Sequence, residues 1–232
     1  LIPLGVVGYY ALTDPVTGVF TLSNLKNLGM YLPVLWQSIW YSICAAFFCL
    51  ILGYPVAYYI AHTGAVTQKF LYMLVMLPMC MSFLLRTMAW VGLLQDTGLI
   101  NRLLMALGFE PVRMIRTSGA VILGMVYNYL PYMILPLYST IVKIDHRLVE
   151  AAQDLGCTPL QSFFKVTIHE IMPGIITGAI MAFTMSLDDF VISYFVTGMG
   201  FTTLPVEIYS YVKKPIQPKI YAMFTLLFVL IF

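Results

Sequence analysis

Two adjacent aspartates, Asp188 and Asp189, lie inside an apolar run of the sequence at residues 180–196. An unpaired carboxylate is expensive to bury, so ionisable residues in such a run are candidates for function. Aromatic residues follow at helical spacing, Tyr194 among them. Aromatic faces beside carboxylates suit an alkylammonium ligand, through ion pairing and cation–π attraction. Because adjacent residues on a helix point about 100° apart, the two carboxylates need not face the same cavity.

Two further aromatic residues extend this candidate substrate path. Trp90 lies in an earlier apolar run that also carries Arg86, and Tyr127 lies in a third run near two prolines. A structural role stays open for all of them. In that alternative one aspartate caps a broken helix or pairs with Arg86, and the aromatic side chains serve ordinary interhelical packing. The predicted path is lined by Asp188, Asp189, Tyr127, Tyr194 and Trp90.

Nothing in the sequence supports catalysis by this chain. The three histidines are scattered beside polar segments, and the four cysteines form no C-x-x-C pair, so we predict neither a metal site nor a disulfide framework. The phosphate-binding pattern G-x-x-x-x-G-K-[ST] does not occur in the sequence. We therefore expect no enzyme and no cofactor in this chain, and any ATP that the protein uses must be bound by another chain.

The composition indicates a membrane protein. Hydrophobic residues make up 61% of the chain and charged residues 9%, whereas about 25% charged is typical of soluble domains. The mean hydropathy is +0.90. The formal net charge of +2 is too small to indicate a nucleic-acid partner. We therefore predict an all-α polytopic membrane protein in a lipid bilayer.

Apolar runs of the length needed to cross a bilayer, about 20 residues, predict about six transmembrane helices in one domain over residues 1–232. Because the chain begins at Leu1 and ends inside an apolar run, we expect the outer two helices to be truncated. An amphipathic helix over residues 99–107, ending at Gly108, is expected at the membrane surface. The predicted inner spans are residues 32–61, 70–94, 119–142 and 172–196. The predicted outer segments are the tail of a first helix at residues 1–12 and a last helix from residue 220. The predicted loops include residues 13–31, 62–69 and 197–219.

Residues 143–172 form the least lipid-like stretch of the chain, and we call them the docking stretch. Apolar and small residues recur there at the i, i+3, i+4 and i+7 positions of a helix that Asp145 can cap and Gly156 can end. A second short helix is expected at once, with Thr158 as its cap, a proline in its first turn and Gln161 completing a capping box. Two short amphipathic helices between spans indicate a docking device, the alternative being an ordinary surface loop.

The docking stretch carries a resemblance to a known family. Glu150, Ala151 and Ala152, followed after three residues by Gly156, resemble the EAA motif of ABC-transporter permeases. In that family the motif forms a coupling helix that sits in a cleft of a cytoplasmic ATPase. Elsewhere, residues 130–138 are similar to one permease subunit of spermidine/putrescine transporters and residues 186–193 to the other. The ATPase-coupling residues that the resemblance implies are Glu150, Ala151, Ala152, Asp154 and Gly156.

The resemblance also implies an architecture and a set of partners. The architecture is that of a type I ABC importer permease in a bacterial inner membrane. The implied partners are a second permease subunit in a heterodimer, two cytoplasmic ATPases that bind ATP and Mg²⁺, and an extracytoplasmic substrate-binding protein. The implied function is import of spermidine or putrescine. Two alternatives stay open: an ABC permease for thiamine, ferric ion or an anion, and a channel or secondary carrier that works without ATP.

Charge and motif disagree about orientation. If each predicted span crosses the membrane once, the docking stretch shares a side with residues 62–69, and these two loops carry fewer Lys and Arg than the loops opposite. A positive-inside count alone would place the docking stretch outside the cell. We give precedence to the motif, because an ATPase-docking surface works only in the cytoplasm. We therefore expect the docking stretch on the cytoplasmic side.

Overall fold

The computed structural model describes Tyr9 and residues 32–197 and 203–212, and every regular element in these ranges is a helix. The predicted first-helix tail, the loop at 13–31 and the last helix from residue 220 lie outside the described residues, apart from Tyr9. In chain order the helices are α1 (Leu32–Ala61), α2 (Ala65–Cys80), α3 (Phe83–Leu94), α4 (Leu99–Ala106), α5 (Ser118–Ile141), α6 (His146–Asp154), α7 (Pro159–Ser162), a π-helix (Phe163–Thr167), α8 (Ile168–Leu187), α9 (Val191–Val196) and α10 (Leu204–Val212).

Three of these helices are long and apolar enough to cross a membrane. They are α1, α5 and the continuous helix Pro159–Leu187; a fourth crossing would need the pair Ala65–Cys80 and Phe83–Ala106, which is bent by 92°. The prediction of an all-α polytopic membrane protein is confirmed, and α1 has the predicted bounds. The described residues thus hold three or four spans, and the total of six stays a prediction.

The predicted span at residues 70–94 is not one continuous helix, because it is broken between α2 and α3. Pro78 lies inside α2, and the backbone becomes extended at Met81 before α3 begins. The proline leaves the helix without the amide hydrogen bond from residue 78 to residue 74 and so weakens its last turn. The helix also begins earlier than expected, at Ala65, which shortens the predicted turn at 62–69. The polar residues assigned to that turn lie on the exposed surface of its first turns.

The predicted span at residues 172–196 is also broken. Its helix ends at Leu187, and α9 starts only at Val191, so both aspartates lie in the break and not on a continuous helix. Their directions are set by the turn, and the 100° spacing of a helix does not apply. The predicted second helix of the docking stretch is not separate either, since Pro159–Leu187 runs on as one helix through the π-helical turn. Finally, α10 replaces part of the loop predicted at 197–219.

The core of the fold is α5, which packs along α8. Two glycines of α8 allow this close approach. A Cβ on Gly178 would lie 2.7 Å from Met133 Sδ, and one on Gly174 would lie 2.9 Å from the Pro136 carbonyl oxygen. Small residues at helix contacts are typical of membrane bundles, where packing replaces hydrophobic burial as the source of stability. The pair α5–α8 is therefore the frame on which the site is built.

Residues 41–198 form one compact unit, and residues 1–40 with 199–232 form another. In the second unit, the Leu204 amide donates a hydrogen bond to Ser38 Oγ at 2.7 Å and so attaches the start of α10 to α1. The candidate path residues and the docking stretch all belong to the first unit. A single domain over the whole chain stays a prediction.

Candidate functional site

The break between α8 and α9 is stabilised by hydrogen bonds to the Asp189 carboxylate. Its Oδ1 accepts a hydrogen bond from the Tyr129 hydroxyl at 2.9 Å, and its Oδ2 accepts from the Ser193 amide at 3.0 Å and the Ser193 hydroxyl at 3.4 Å. Asp189 is only 4% exposed. Amides in the first turn of a helix have no partner within the helix, and a carboxylate that accepts from one of them acts as a cap. Asp189 therefore caps α9 and ties it to α5.

Arg86 has the corresponding role at the break between α2 and α3. Its Nη1 donates to the Pro78 carbonyl oxygen at 2.7 Å, in the last turn of α2. Carbonyl groups at the end of a helix favour a nearby cation. Within the described residues Arg86 forms no ion pair with Asp188 or with Asp189, so the pairing considered from the sequence is not formed. Each charge instead satisfies the end of a broken helix.

Tyr129 contacts one residue at each of the two breaks. It sits near the middle of the 24-residue helix α5. Its hydroxyl donates to Asp189, and its ring is stacked with Phe83, the first residue of α3, at 6.4 Å between ring centres. Because α5 spans the membrane, both breaks lie at the depth of its midpoint. Discontinuous helices near the bilayer midplane are a recurrent way to build a transport site.

The predicted aromatic residues Trp90 and Tyr127 form a stack of their own. Their ring centres are 5.2 Å apart and their planes differ by 8°. The buried indole nitrogen of Trp90 and the buried Oδ1 of Asn128 have no hydrogen-bond partner within the described residues. Trp90 and Asn128 both adjoin Gly124. The side-chain amide of Asn128 donates to the Gly124 carbonyl oxygen, and a Cβ added to Gly124 would lie 3.2 Å from Trp90 Nε1. Buried polar atoms without partners are unfavourable, so these two atoms lower the stability of the contact between α3 and α5.

Asp188 differs from its neighbour because its side chain is exposed. Tyr194 is also exposed, with its ring centre 5.2 Å from those of both Phe190 and Phe195. Helix α9 packs against both α3 and α5, and α8 packs against α5. The helices that hold or flank the five predicted path residues are therefore all in contact with α5 or part of it. Of the two carboxylates, Asp188 is the one that stays accessible to a ligand.

Tyr129 and Ser193 were not among the predicted path residues. Ser193 is the third residue of α9, and an amide in the first turn of a helix needs a partner from outside the helix backbone. Tyr129 is a phenol inside an apolar span, and a buried tyrosine hydroxyl usually finds a partner. The alternative in which one aspartate caps a broken helix is the one that the structure shows, with Asp189 as that residue. The contact between Tyr129 and Asp189, which are 60 residues apart in the sequence, forms because α9 packs on α5.

The docking stretch has the predicted caps. Asp145 accepts from the Arg147 amide at 3.0 Å, and Thr158 and Gln161 form the reciprocal capping box. Gly156 has φ +86°, while its amide donates to the Gln153 carbonyl at 2.9 Å and the next amide donates to the Ala152 carbonyl at 3.1 Å. These two bonds define a Schellman motif, in which a residue with positive φ ends the helix. The turn between α6 and α7 is therefore specified by local sequence.

The docking stretch presents apolar side chains to its surroundings. Leu155 is 88% exposed and Leu160 is 70% exposed, and the acidic residues Glu150 and Asp154 are exposed as well. Of the two alanines, Ala151 is exposed and Ala152 is half-buried. Exposed apolar groups rimmed by polar ones mark interaction sites in many proteins. Four of the five predicted coupling residues are thus exposed, and the fifth, Ala152, is half-buried.

Contact between the docking stretch and α1 is aromatic. The rings of Tyr54 and Phe163 meet edge to face with their centres 5.7 Å apart. A cavity of about 290 Å³ lies between the end of α1, the end of α5 and the docking stretch. The stretch is therefore supported at a few points and is not packed against the spans along its length.

The bundle of apolar helices with its broken spans and exposed docking stretch defines a membrane-embedded transport component. Residues 50–232 match the family described as binding-protein-dependent transport system inner membrane component. The chain belongs to this family. A bacterial ABC transporter involved in the import of alginate has the same fold, with a TM-score of 0.72 at 17% identity over 99% of this chain and 84% of that chain. The expected ABC importer permease architecture is therefore confirmed.

Curated relatives are similar over much of the chain. The spermidine/putrescine transport system permease protein PotB of Haemophilus influenzae is 38% identical over 177 residues, 75% of this chain and 62% of the relative. PotB of Escherichia coli is 38% identical over 179 residues, 75% of this chain and 65% of the relative. The putrescine transport system permease protein PotI of Escherichia coli is 47% identical over 96 residues, 41% of this chain and 34% of the relative. The matched part thus spans less than two thirds of each of these relatives.

Because Asp189 caps α9 and Asp188 does not, we predict that substitution of the two aspartates has different effects on the stability of the protein. In Asp189→Asn one acceptor oxygen replaces two, so either the Tyr129 hydroxyl or the Ser193 amide loses its partner inside the protein. An unpaired buried donor costs about 1–3 kcal/mol. We expect Asp189→Asn to unfold at a lower temperature in detergent, as measured by a thermal-shift assay, and Asp188→Asn to unfold like the wild type. Equal unfolding of all three proteins would contradict the capping role.

Proposed function

We propose that this chain is a membrane-spanning permease subunit of an ATP-driven ABC importer that carries polyamines into the cytoplasm across a bacterial inner membrane. The observation that carries the proposal is the docking stretch, which exposes Leu155 and Leu160 on a chain of the permease family. The names of the PotB and PotI relatives support spermidine or putrescine as the substrate.

Hydrolysis of ATP belongs, in this proposal, to two partner ATPases that receive the docking stretch. The small side chains of Ala151 and Ala152 permit close approach, while Glu150 and Asp154 offer exposed charges at the rim. The helix that starts at Pro159 continues without interruption to Leu187. A displacement of the docking stretch is thereby carried along one helix to the break at Asp188. A second permease subunit and an external substrate-binding protein complete the proposed assembly, and the family description supports the latter.

The substrate path is proposed to use Asp188 for charge and the aromatic residues Tyr127, Tyr194 and Trp90 for contact. A polyamine carries at least two positive charges, and moving them out of water without compensation is costly. One accessible carboxylate with aromatic walls offsets part of that cost through ion pairing and cation–π attraction. Asp189 contributes by holding the break that positions Asp188.

Uptake by the reconstituted transporter tests this function. In proteoliposomes that hold the chain with its partner subunits and binding protein, we expect labelled spermidine to accumulate only with ATP, and unlabelled putrescine to compete. We expect Asp188→Asn to reduce the rate about tenfold, as for the loss of a charge-assisted contact. The exposed acid Glu110 supplies a matched control, and Glu110→Gln is expected to transport normally.

Three results would contradict parts of this proposal. Competition by thiamine, ferric ion or an anion in place of putrescine would assign another solute. Uptake by the chain alone, driven by an ion gradient, would favour a channel or secondary carrier. Normal uptake by Asp188→Asn at matched abundance would remove the carboxylate from the path.

The turn at Gly156 offers a controlled test of coupling. Gly108 has φ +84° and Gly156 has φ +86°, and a Cβ at either would meet nothing within 4 Å. Alanine at each position therefore has the same conformational penalty, about 1–2 kcal/mol. We expect Gly156→Ala and Gly108→Ala to lose similar stability, whereas substrate-stimulated ATP hydrolysis falls up to about tenfold in Gly156→Ala only. An equal effect of both substitutions on hydrolysis would show that the docking turn has no special role.

A further inference from the structure

A cavity of about 620 Å³ opens at the end of α5 opposite the docking stretch. It is lined by residues 95–97, directly after α3, and by residues 113 and 115–117, directly before α5. The 24 residues of α5 extend about 36 Å at 1.5 Å per residue. The hydrocarbon core of a bilayer is about 30 Å thick, so residues adjoining the end of α5 lie at the depth of the lipid headgroups.

The walls of this cavity are held in place by Asn101, which is 1% exposed. Its Nδ2 donates to the carbonyl oxygens of Asp96 at 3.1 Å and Val112 at 3.0 Å, and its Oδ1 accepts from the Val112 amide at 3.1 Å. One buried amide thereby joins the segment after α3 to the segment before α5. The cavity is therefore a built feature of the fold and not a gap between two independent loops.

The charged groups in the cavity have complementary signs. Arg113 and Arg116 are exposed, and within the described part of the chain neither guanidinium forms a hydrogen bond or an ion pair. Asp96 lines the same cavity and likewise forms no ion pair there. Two guanidinium groups suit a phosphate, since arginine binds phosphate oxygens with paired donors. A carboxylate beside them suits a primary ammonium group on the same ligand.

The neighbouring surface is apolar. Helix α4, which carries Asn101, turns large apolar side chains outward, among them Leu99, Leu103 and, just after the helix, Leu107 and Phe109. An amphipathic helix at headgroup depth places such a face among acyl chains. A ligand with a zwitterionic headgroup and an apolar tail matches both surfaces, whereas an acidic protein surface would leave Asp96 opposed by like charge.

We propose that this cavity is a binding site for a phospholipid with an amine-bearing headgroup, with the phosphate on Arg113 and Arg116, the ammonium on Asp96 and the acyl chains along α4. The site lies at the end of α5 remote from the docking stretch and is independent of the proposed transport function. It also gives a role to two arginines on the side opposite the docking stretch, where the positive-inside rule expects fewer basic residues.

Lipid binding to the full-length protein, purified with its associated subunits and depleted of lipid, tests the proposal by native mass spectrometry. The probes are phosphatidylethanolamine and phosphatidylglycerol added in increasing amounts. We expect one phosphatidylethanolamine to bind more tightly than phosphatidylglycerol. The double variant Arg113→Gln/Arg116→Gln is expected to bind it about tenfold more weakly or worse, through loss of charge-assisted hydrogen bonds. Arg102→Gln, an exposed arginine of α4 outside the cavity, is the matched control and is expected to bind like the wild type.

Asp96→Asn separates headgroup recognition from general attraction of anions. We expect this variant to lose the preference for phosphatidylethanolamine while keeping phosphatidylglycerol. Equal lipid binding by the wild type and the double arginine variant would overturn the proposal, as would an unchanged headgroup preference in Asp96→Asn. Normal lipid binding combined with weaker capture of an external binding protein by the double arginine variant would assign the cavity to protein docking instead.

Discussion

A helix that ends inside a bilayer exposes amide or carbonyl groups where no water is available to bond them, and this chain does so at two places. The structure satisfies these ends with charged side chains. Arg86 donates to the Pro78 carbonyl at the end of α2, and Asp189 accepts the Ser193 amide in the first turn of α9. Tyr129 holds the second break to α5 and stacks on the start of α3. The geometry of the candidate path depends on these bonds.

In this arrangement the two adjacent aspartates have different roles, one in holding the broken helix and the other in the proposed binding of a cation. The buried Asp189 carboxylate accepts hydrogen bonds from the Ser193 amide and the Tyr129 hydroxyl, whereas Asp188 is exposed. A carboxylate with every partner in place is a poor transport ligand, because a substrate would have to displace those partners. An exposed neighbour held by the same turn can bind a cation weakly and release it. The continuous helix from Pro159 to Leu187 connects this turn to the docking stretch, so both ends of the proposed mechanism lie on one element.

Predictions from the sequence were most accurate where local chemistry decides the structure. The Asp145 cap, the capping box of Thr158 and Gln161 and the turn at Gly156 depend on residues at most five apart, and all were predicted. The break at the aspartates was only one of the alternatives that the sequence left open, and the break between α2 and α3 was not predicted, because hydropathy records only that a segment is apolar. A break becomes stable only when a distant group satisfies the backbone. The sequence contained Tyr129 and Asp189, but their contact across 60 residues arises from the packing of α9 on α5.

The measurement that tests this account most directly is hydrogen exchange at the start of α9 in the assembled transporter. If Asp189 caps this helix, the Ser193 amide is protected in the wild type and in Asp188→Asn. Its exchange is then faster in Asp189→Asn and, to a smaller degree, in Tyr129→Phe, which removes the hydroxyl that holds the carboxylate. Unchanged exchange in Asp189→Asn would contradict the claim that this carboxylate holds the broken helix together.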